Sequence, residues 1–146
     1  MPRPFRFSLQ KVLEYREQLE ERAKLDFSRA LRAHDAQADR VQRLREAMAR
    51  HEARWFAEPM SAADIWLWRM YRQRLNEDIK EAEAELARLR RVMDERRREL
   101  VEKSKDRKVL ERLKSNQAMD HYRQENLKEQ REFDDMATLR YQHRHF

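Results

Sequence analysis

The chain has 146 residues, of which 34 are Lys or Arg and 28 are Asp or Glu, and its net charge at pH 7 is +6. It contains no Gly and three Pro, which argues against sandwiches, barrels and Gly-rich nucleotide loops, because these need many tight turns. There is no Cys and no uncharged run longer than five residues, so we expect no disulfide, no transmembrane span, no secretory signal and a cytoplasmic location. The abundance of Ala, Glu, Lys, Leu and Arg is typical of long helices or a coiled coil, with disorder as the alternative.

A first helix is predicted over about residues 9–57. Ser8 is a suitable N-cap, and Phe7 and Val12 occupy the two positions of a hydrophobic staple. Alternating steps of four and three residues along this helix give a seam in which nine of fourteen positions are apolar, although the middle of the seam is polar. The pattern therefore predicts a helix with one buried face.

A turn is predicted at residues 58–61. Pro59 lacks an amide hydrogen and disfavours helix at Glu58, the residue before it. Ser61 and Asp64 then have the spacing of a capping box, which marks the start of a new helix.

The second helix is expected over about residues 62–139, followed by a tail at 140–146. Eight of the eleven positions along its seam are apolar. A short connection between two long helices of matching period favours an antiparallel hairpin, in which Val41 lies opposite Ile79. The predicted fold class is therefore all-α, a single coiled-coil hairpin over 1–146 whose second helix is longer.

The longer second helix leaves a C-terminal overhang of about two dozen residues beyond the start of the first helix. Met119, Tyr122, Phe133 and Met136 form an apolar stripe there, at a spacing that we interpret as continuing the seam of the second helix. Because an apolar stripe is unfavourable in water, we expect an external protein surface to cover it. Fraying or self-association of the overhang is the alternative.

No enzymatic or metal site is indicated, and no cofactor is expected. The five His are scattered, and the carboxylates resemble the solvated charges of helix surfaces. Residues 88–112 contain eleven basic side chains, but six interleaved acidic ones would repel nucleic-acid phosphates. We therefore expect no nucleic-acid partner, and a nucleic-acid-binding protein is the least favoured alternative.

Aromatic residues concentrate near the predicted turn. Five of them lie within seventeen residues: Trp55, Phe56, Trp66, Trp68 and Tyr71. Residues 65–68 are all apolar and point in four directions around one helix, so at least one Trp should remain exposed. The cluster is either an interface anchor or a local hydrophobic plug that caps the hairpin.

Three segments carry a resemblance to a known family. They are FRFSLQKVLEYRE at 5–17, DRKVLERLK at 106–114 and EQREFDDMATLR at 129–140. Together, and in this order, they resemble the FliJ family of the bacterial flagellar type III export apparatus. Many members have Asp-Glu where this chain has Asp134-Asp135, a difference that preserves the charge.

The resemblance implies a non-enzymatic antiparallel coiled coil, similar to the central stalk of rotary ATPases. Three binding partners are implied as well. These are the flagellar export ATPase hexamer, which members stimulate, the cytoplasmic domain of the export gate protein FlhA, and the flagellar substrate chaperones. It also implies a cytoplasmic protein at the inner-membrane face of the export apparatus, without direct membrane insertion and monomeric when free.

The resemblance, together with the apolar stripe of the overhang and the aromatic residues near the turn, gives two sets of contact residues. The ATPase-facing set lies at the end of the hairpin that carries both termini and includes the neighbouring overhang: Phe7, Leu9, Val12, Leu13, Arg16, Leu110, Glu111, Leu113, Lys114, Met119, Tyr122, Phe133 and Met136. The gate-facing set lies nearer the turn: Gln37, Val41, Leu44, Met48, Trp68, Tyr71, Leu75, Ile79 and Ala82. Most of the gate-facing residues also fill seam positions, so a role in the core is the competing interpretation. A self-associating structural scaffold is the alternative function.

Overall fold

The computed structural model describes residues 3–57 and 59–144, which form two α-helices. Helix α1 runs Gln10–Ala57 (48 residues) and helix α2 runs Ala62–Arg144 (83 residues). No β-strand occurs in the described ranges. The predicted fold class, two antiparallel helices in an all-α hairpin with the longer helix second, is confirmed.

The connection between the helices contains the predicted capping box. Ser61 N donates to Asp64 Oδ2, and Asp64 N donates to Ser61 Oγ, both at 3.2 Å. These bonds satisfy two amide groups that the first turn of a helix leaves without helical partners. The expectation for Glu58 lies outside the described residues.

The chain divides into two compact units, each of which contains part of both helices. The central unit is Arg22–Val101, and the terminal unit combines Met1–Glu21 with Glu102–Phe146. That the whole of 1–146 behaves as a single domain stays a prediction.

In the central unit, the buried apolar side chains all occupy predicted seam positions. They are Ala23, Ala30, Val41, Met48, Leu75, Ala82 and Met93. Gln37 Nε2 donates to Ala82 O at 3.0 Å, and Arg45 Nη2 lies 2.5 Å from Glu83 Oε1. The residue numbers of these partners add to 119 and 128, close to the value of about 120 that the hairpin predicts. The two helices therefore run antiparallel here, as predicted.

The terminal unit has a small core of its own. Phe7, Leu13 and Leu110 are buried in it, and the half-buried Phe5 packs against them. Gln10 N donates to Phe7 O at 3.1 Å where the extended N-terminal segment turns into α1. Phe5 and Phe7, which precede α1, therefore fill a core that the pairing of the two helices alone would leave incomplete.

The N-terminal segment also covers α2 beyond the level at which α1 begins. His121 Nε2 donates to Arg3 O at 2.7 Å, and the Phe5 and His121 rings lie 5.7 Å apart. We refer to the part of α2 that follows, residues 122–144, as the overhang. Its last fifteen described residues, 130–144, are all exposed.

The expected C-terminal boundary is wrong. Helix α2 continues to Arg144, five residues beyond the expected end at Leu139, so 140–144 is helical rather than an irregular tail. No Pro or Gly interrupts these residues, and extending an existing helix is much easier than starting one. The basic residues of the last turn, His143 and Arg144, also interact favourably with the negative end of the helix dipole. The last two residues of the expected tail, 145–146, lie outside the described residues.

Candidate partner-binding surfaces

The ATPase-facing residues near the start of α1 divide into buried and exposed members. Phe7, Leu13 and Leu110 form the core of the terminal unit, and only 2% of Leu13 is exposed. Leu9, just before α1, is exposed, as are Val12 on α1 and Leu113 on α2. The buried residues therefore support the surface, and the exposed ones are available to a partner.

The polar members of this set make contacts that hold the two helices together. Arg16 Nη1 donates to Asp106 O at 2.8 Å, and Lys114 Nζ donates to Gln10 Oε1 at 2.7 Å. Each of these side chains reaches the opposite helix, so part of its hydrogen-bonding capacity is already used within the chain. Replacing Arg16 or Lys114 therefore perturbs the support of the surface as well as the surface itself.

An ion pair between a buried carboxylate and a half-buried guanidinium explains why the seam of the terminal unit is polar. Glu20 is buried and pairs with Arg107, which also lies 2.6 Å from Glu111 through Nη1. The hydrogen bonds to Glu20 and then to Glu111 raise the pKa of Arg107 above its usual value. In the sequence, Glu20 and Arg107 are only polar residues at positions of an otherwise apolar seam. The antiparallel pairing of the helices brings them together.

Sequence reasoning missed a second exposed apolar row on α1. Val12, Tyr15 and Leu19 recur at steps of three and four, the spacing of one helix face. Tyr15 is exposed and Leu19 is half-buried. The signal was present in the sequence beside the stronger seam that begins at Leu9.

The first two residues of the predicted stripe, Met119 and Tyr122, do not continue the seam of α2. The α2 positions that are covered near the N-terminal segment include Ala118 and His121. Met119 and Tyr122 each come one residue later, which places them about 100° further around the helix. The interpretation of one continuous seam is therefore wrong for Met119 and Tyr122, whereas Phe133 and Met136 come four and seven residues after the half-buried Glu129 and keep the spacing of the covered side.

The stripe residues are all exposed, including Phe133 at 70% of its surface. At the end of α2, Phe133 and Met136 line a shallow groove together with Ala137, Arg140 and Arg144. An apolar strip bordered by guanidinium groups is suited to a protein surface with apolar and acidic residues.

The predicted gate-facing residues mostly lie in the core of the central unit. Val41, Met48, Leu75 and Ala82 are buried, and Gln37, Leu44 and Ile79 are half-buried. Of the set, only Tyr71 is exposed, and Trp68 is half-buried. The seam positions therefore pack the two helices together, and the side chains nearest the turn are the ones that reach the surface.

A histidine that sequence reasoning left without a role organises the aromatic cluster at the turn. His51 is buried, and its Nε2 donates to Trp68 O at 2.8 Å, while Trp68 Nε1 donates to His51 O at 2.9 Å. The two rings stack with centroids 4.8 Å apart, and Tyr71 contacts the His51 ring edge-on. This reciprocal pair joins α1 to α2, and the position of His51 on the predicted seam was the available signal.

The aromatic cluster contains both packed and exposed residues, so a plug is present and an interface anchor stays a prediction. Trp68 and Trp55 contact each other, with ring centroids 4.7 Å apart, and form the plug. Trp66 and Phe56 are exposed over 61% and 89% of their surfaces. The prediction that at least one Trp remains exposed is confirmed.

Neither a metal site nor a membrane span occurs in the residues that the structure describes. Within 3–57 and 59–144, no group of three or more His, Cys, Asp or Glu side chains is placed to hold a metal ion. In the same ranges, neither helix contains a stretch apolar enough to cross a bilayer.

Comparison with known protein families agrees with this architecture. The family model described as "Flagellar FliJ protein" matches residues 5–145, nearly the whole chain. Searches of characterised proteins and of solved structures returned no match. Since the matched range includes both helices and the N-terminal segment, the chain belongs to the FliJ family of flagellar protein export components.

Proposed function

We propose that this flagellar export component is a non-enzymatic coiled coil that binds the export ATPase ring through its terminal unit and stimulates ATP hydrolysis. The observation that carries the proposal is the exposed face of the overhang, where Phe133 and Met136 lie on a helix end with no covering segment in the described chain. Exposed apolar area of this kind favours association with a protein partner.

The proposed contact surface has two parts within the terminal unit. One consists of the exposed Leu9, just before α1, with the apolar row of α1 that begins at Val12, and the other is the face of the overhang around Phe133. Arg140 and Arg144 beside that face supply positive charge toward an acidic rim of the partner. Glu20 and its ionic partners stabilise the pairing of the helices and so hold the surface in shape.

The central unit has a different proposed role. We assign contact with the export gate, FlhA, and with the substrate chaperones to the side of the aromatic cluster where Tyr71 is exposed and Trp68 is half-buried. Aromatic side chains at interfaces provide large contact areas at a low entropic cost. Contact with both the ATPase and the gate is how such a protein links hydrolysis to export.

The test of ATPase binding is steady-state hydrolysis by the cognate export ATPase, titrated with the full chain. The double variant Phe133→Gln and Met136→Gln removes apolar contacts and should need at least about tenfold more protein for half-maximal stimulation. A matched control, Leu25→Gln and Leu31→Gln, changes two exposed leucines of the central unit and should stimulate like the native chain. Equal loss in both variants, or in neither, contradicts the assignment.

A separate measurement tests the central unit. Tyr71→Ser should leave ATPase stimulation unchanged and reduce swimming motility, because it alters the aromatic surface and not the terminal unit. If stimulation falls as much as motility, the two surfaces do not have separate partners.

The same exposed overhang also favours a second candidate, a self-associating scaffold in which the overhangs of two chains pair. Sedimentation velocity with the free chain distinguishes the two. A monomer whose overhang amides exchange rapidly alone and slowly with the ATPase supports the first proposal. A stable dimer with slowly exchanging overhang amides supports the scaffold.

A further inference from the structure

The N-terminal segment covers one side of α2 with an extended chain instead of a helix. Residues 3–7 precede α1 and form no helix of their own. Phe5 and Phe7 are turned inward, the first half-buried and the second buried. Their neighbours Pro4 and Arg6 are exposed, which is the alternation of side chains along an extended chain. The two rings therefore hold the segment, and every second residue faces water.

We refer to residues 3–6 as the strap, and few contacts hold it on α2. Arg3 O accepts the hydrogen bond from His121 Nε2 at 2.7 Å, and the Phe5 ring contacts the His121 ring and the margin of the small core. Phe7 is fixed more firmly, because it is buried in that core and its O accepts the bond from Gln10 N. A segment with few buried contacts opens at a low free energy, so the strap can swing about Phe7 while the core stays closed.

Pro4 makes this movement reversible. Its ring fixes its own φ and disfavours helix at Arg3, so the strap stays extended when it is released. Because the released strap is already restricted, little conformational entropy is lost when it closes again. Few contacts are therefore sufficient to close the strap in the free chain, and a partner has only those contacts to replace.

The strap lies on the side of α2 that leads to the proposed ATPase contact. Ala118 and His121 are half-buried beside the strap. Met136 and Leu139 follow them by eighteen residues, which is five complete turns of about 3.6 residues each. All four residues therefore lie on one side of α2, which is covered at its near end, whereas Met136 and Leu139 are exposed at its far end.

We propose that the strap is an autoinhibitory cover, which occupies the near end of this side of α2 in the free chain and is displaced when the export ATPase binds. The inference rests on the proposed ATPase contact and adds a means of regulating it. Displacement extends the available side from Met136 back to Ala118, a length of about 27 Å at the helical rise of 1.5 Å per residue. It also frees the Phe5 ring for contact with the partner.

The charge of the strap favours its displacement by the same partner. Arg3 and Arg6 are exposed, as are Arg140 and Arg144 near the end of α2. The acidic rim that the proposed function places opposite Arg140 and Arg144 would attract the guanidinium groups of the strap as well. Binding of an acidic surface therefore supplies a second site for the strap instead of leaving it without contacts.

The first experiment locks the strap in place. The chain contains no Cys, so the double variant Phe5→Cys and His121→Cys has thiols only at the two contacting positions. A short bismaleimide joins the thiols, and the linked and unlinked forms of this full chain are titrated into the cognate export ATPase. The linked form should need at least about tenfold more protein for half-maximal stimulation of hydrolysis. Each single variant treated with the same reagent is the control and should stimulate like the unlinked form.

A second variant releases the strap. Phe5→Ser removes the ring that contacts α2 and should lower the amount of protein needed for half-maximal stimulation, on the order of threefold. The matched control, Phe56→Ser, removes an exposed ring from the central unit and should stimulate like the native chain. A larger requirement for Phe5→Ser than for the native chain would overturn the inference.

Opening of the strap is also measured without the ATPase. A maleimide should label the half-buried Ala118→Cys at least about threefold faster when Phe5→Ser is added. Labelling of Ser115→Cys, an exposed position on the same helix, should not change. An unchanged rate at position 118 would show that the strap is no cover, and an equal increase at both positions would show a loss of helix; either result overturns the inference.

The outcomes separate this inference from the proposed function. Equal stimulation by the linked and unlinked forms overturns the inference and leaves the ATPase contact standing. Stronger stimulation by the linked form does the same, because it is the result expected of a strap that must stay closed to support the surface. Absence of stimulation by the native chain and by every variant refutes the proposed function, and this inference with it.

Discussion

Replacing Leu13 by Ala should open the terminal unit and leave the central unit intact. Leu13 is the residue at the centre of the small core with Phe7 and Leu110, and only 2% of its surface is exposed. Truncating a buried Leu loses the transfer free energy of the removed atoms and leaves a cavity, at a combined cost of about 2–5 kcal/mol. The core of this unit has few members, so neighbouring side chains can partly collapse, and we expect about 2–3 kcal/mol.

Hydrogen exchange followed by mass spectrometry is the appropriate assay, because it reports the opening of each unit separately. A decrease of about 2–3 kcal/mol in the free energy of opening corresponds to amide exchange about 30–150 times faster. The faster exchange should appear in peptides around Leu13 and Leu110 and be absent from peptides around Val41 and Leu75.

The control is Leu25→Ala, which removes the same atoms from an exposed position on α1 and should change stability by no more than about 0.5 kcal/mol. Two results would refute the reasoning. One is a loss below about 1 kcal/mol for Leu13→Ala, and the other is an equal loss for Leu25→Ala.

Three other predictions concern polar contacts. Glu20→Gln should lower the melting temperature of the terminal unit, because it leaves the guanidinium of Arg107 without its buried counter-charge. Calorimetry measures this change, and an unchanged melting temperature would contradict the role of the ion pair. Trp68→Phe keeps an aromatic ring but loses the indole N–H bond to His51 O, so urea unfolding should show a loss of about 1 kcal/mol, and no loss would mean that this bond contributes nothing. The hydrogen bond from Arg88 lowers the pKa of Glu85, so its contribution to stability is present above the pKa of the unfolded chain and disappears as the pH falls through the lower folded value. The melting temperature of Glu85→Gln should therefore differ from that of the native chain at pH 7 and converge with it at low pH; a difference that is constant with pH would contradict the reasoning.

The structure of the terminal unit limits which contact roles can be assigned to this chain from the family resemblance. A resemblance assigns contact roles by position, and three of the assigned positions, Phe7, Leu13 and Leu110, form a core. Substituting them would reduce ATPase stimulation by disturbing the fold, whether or not they touch the ATPase. The exposed Leu9 and Val12 are therefore the more informative positions to mutate.

The sequence alone correctly indicated most of the local structure. Helical periodicity depends on neighbours three and four residues apart, so the buried positions from Ala23 to Met93 could be identified before the fold was known. The capping box of Ser61 and Asp64 is equally local, and it forms as predicted. These features depend on residues close together in the chain.

Contacts between distant residues required the tertiary structure. The polar seam residues Glu20 and Arg107 are 87 positions apart, and only the antiparallel pairing brings their charges together. The N-terminal segment covers α2 as far as His121, and this depends on the path of that extended segment, which helical periodicity does not describe. That path fixes the start of the overhang.

The sequence by itself determined two long helices, their antiparallel pairing and the family, because each follows from local periodicity, from the Pro59 turn or from motifs read in order. The tertiary structure alone decided which apolar side chains remain available to partners. Exposure depends on what packs against a residue as well as on the residue itself, so Trp68 is held against His51 while Trp66, two positions earlier on the same helix, remains in water.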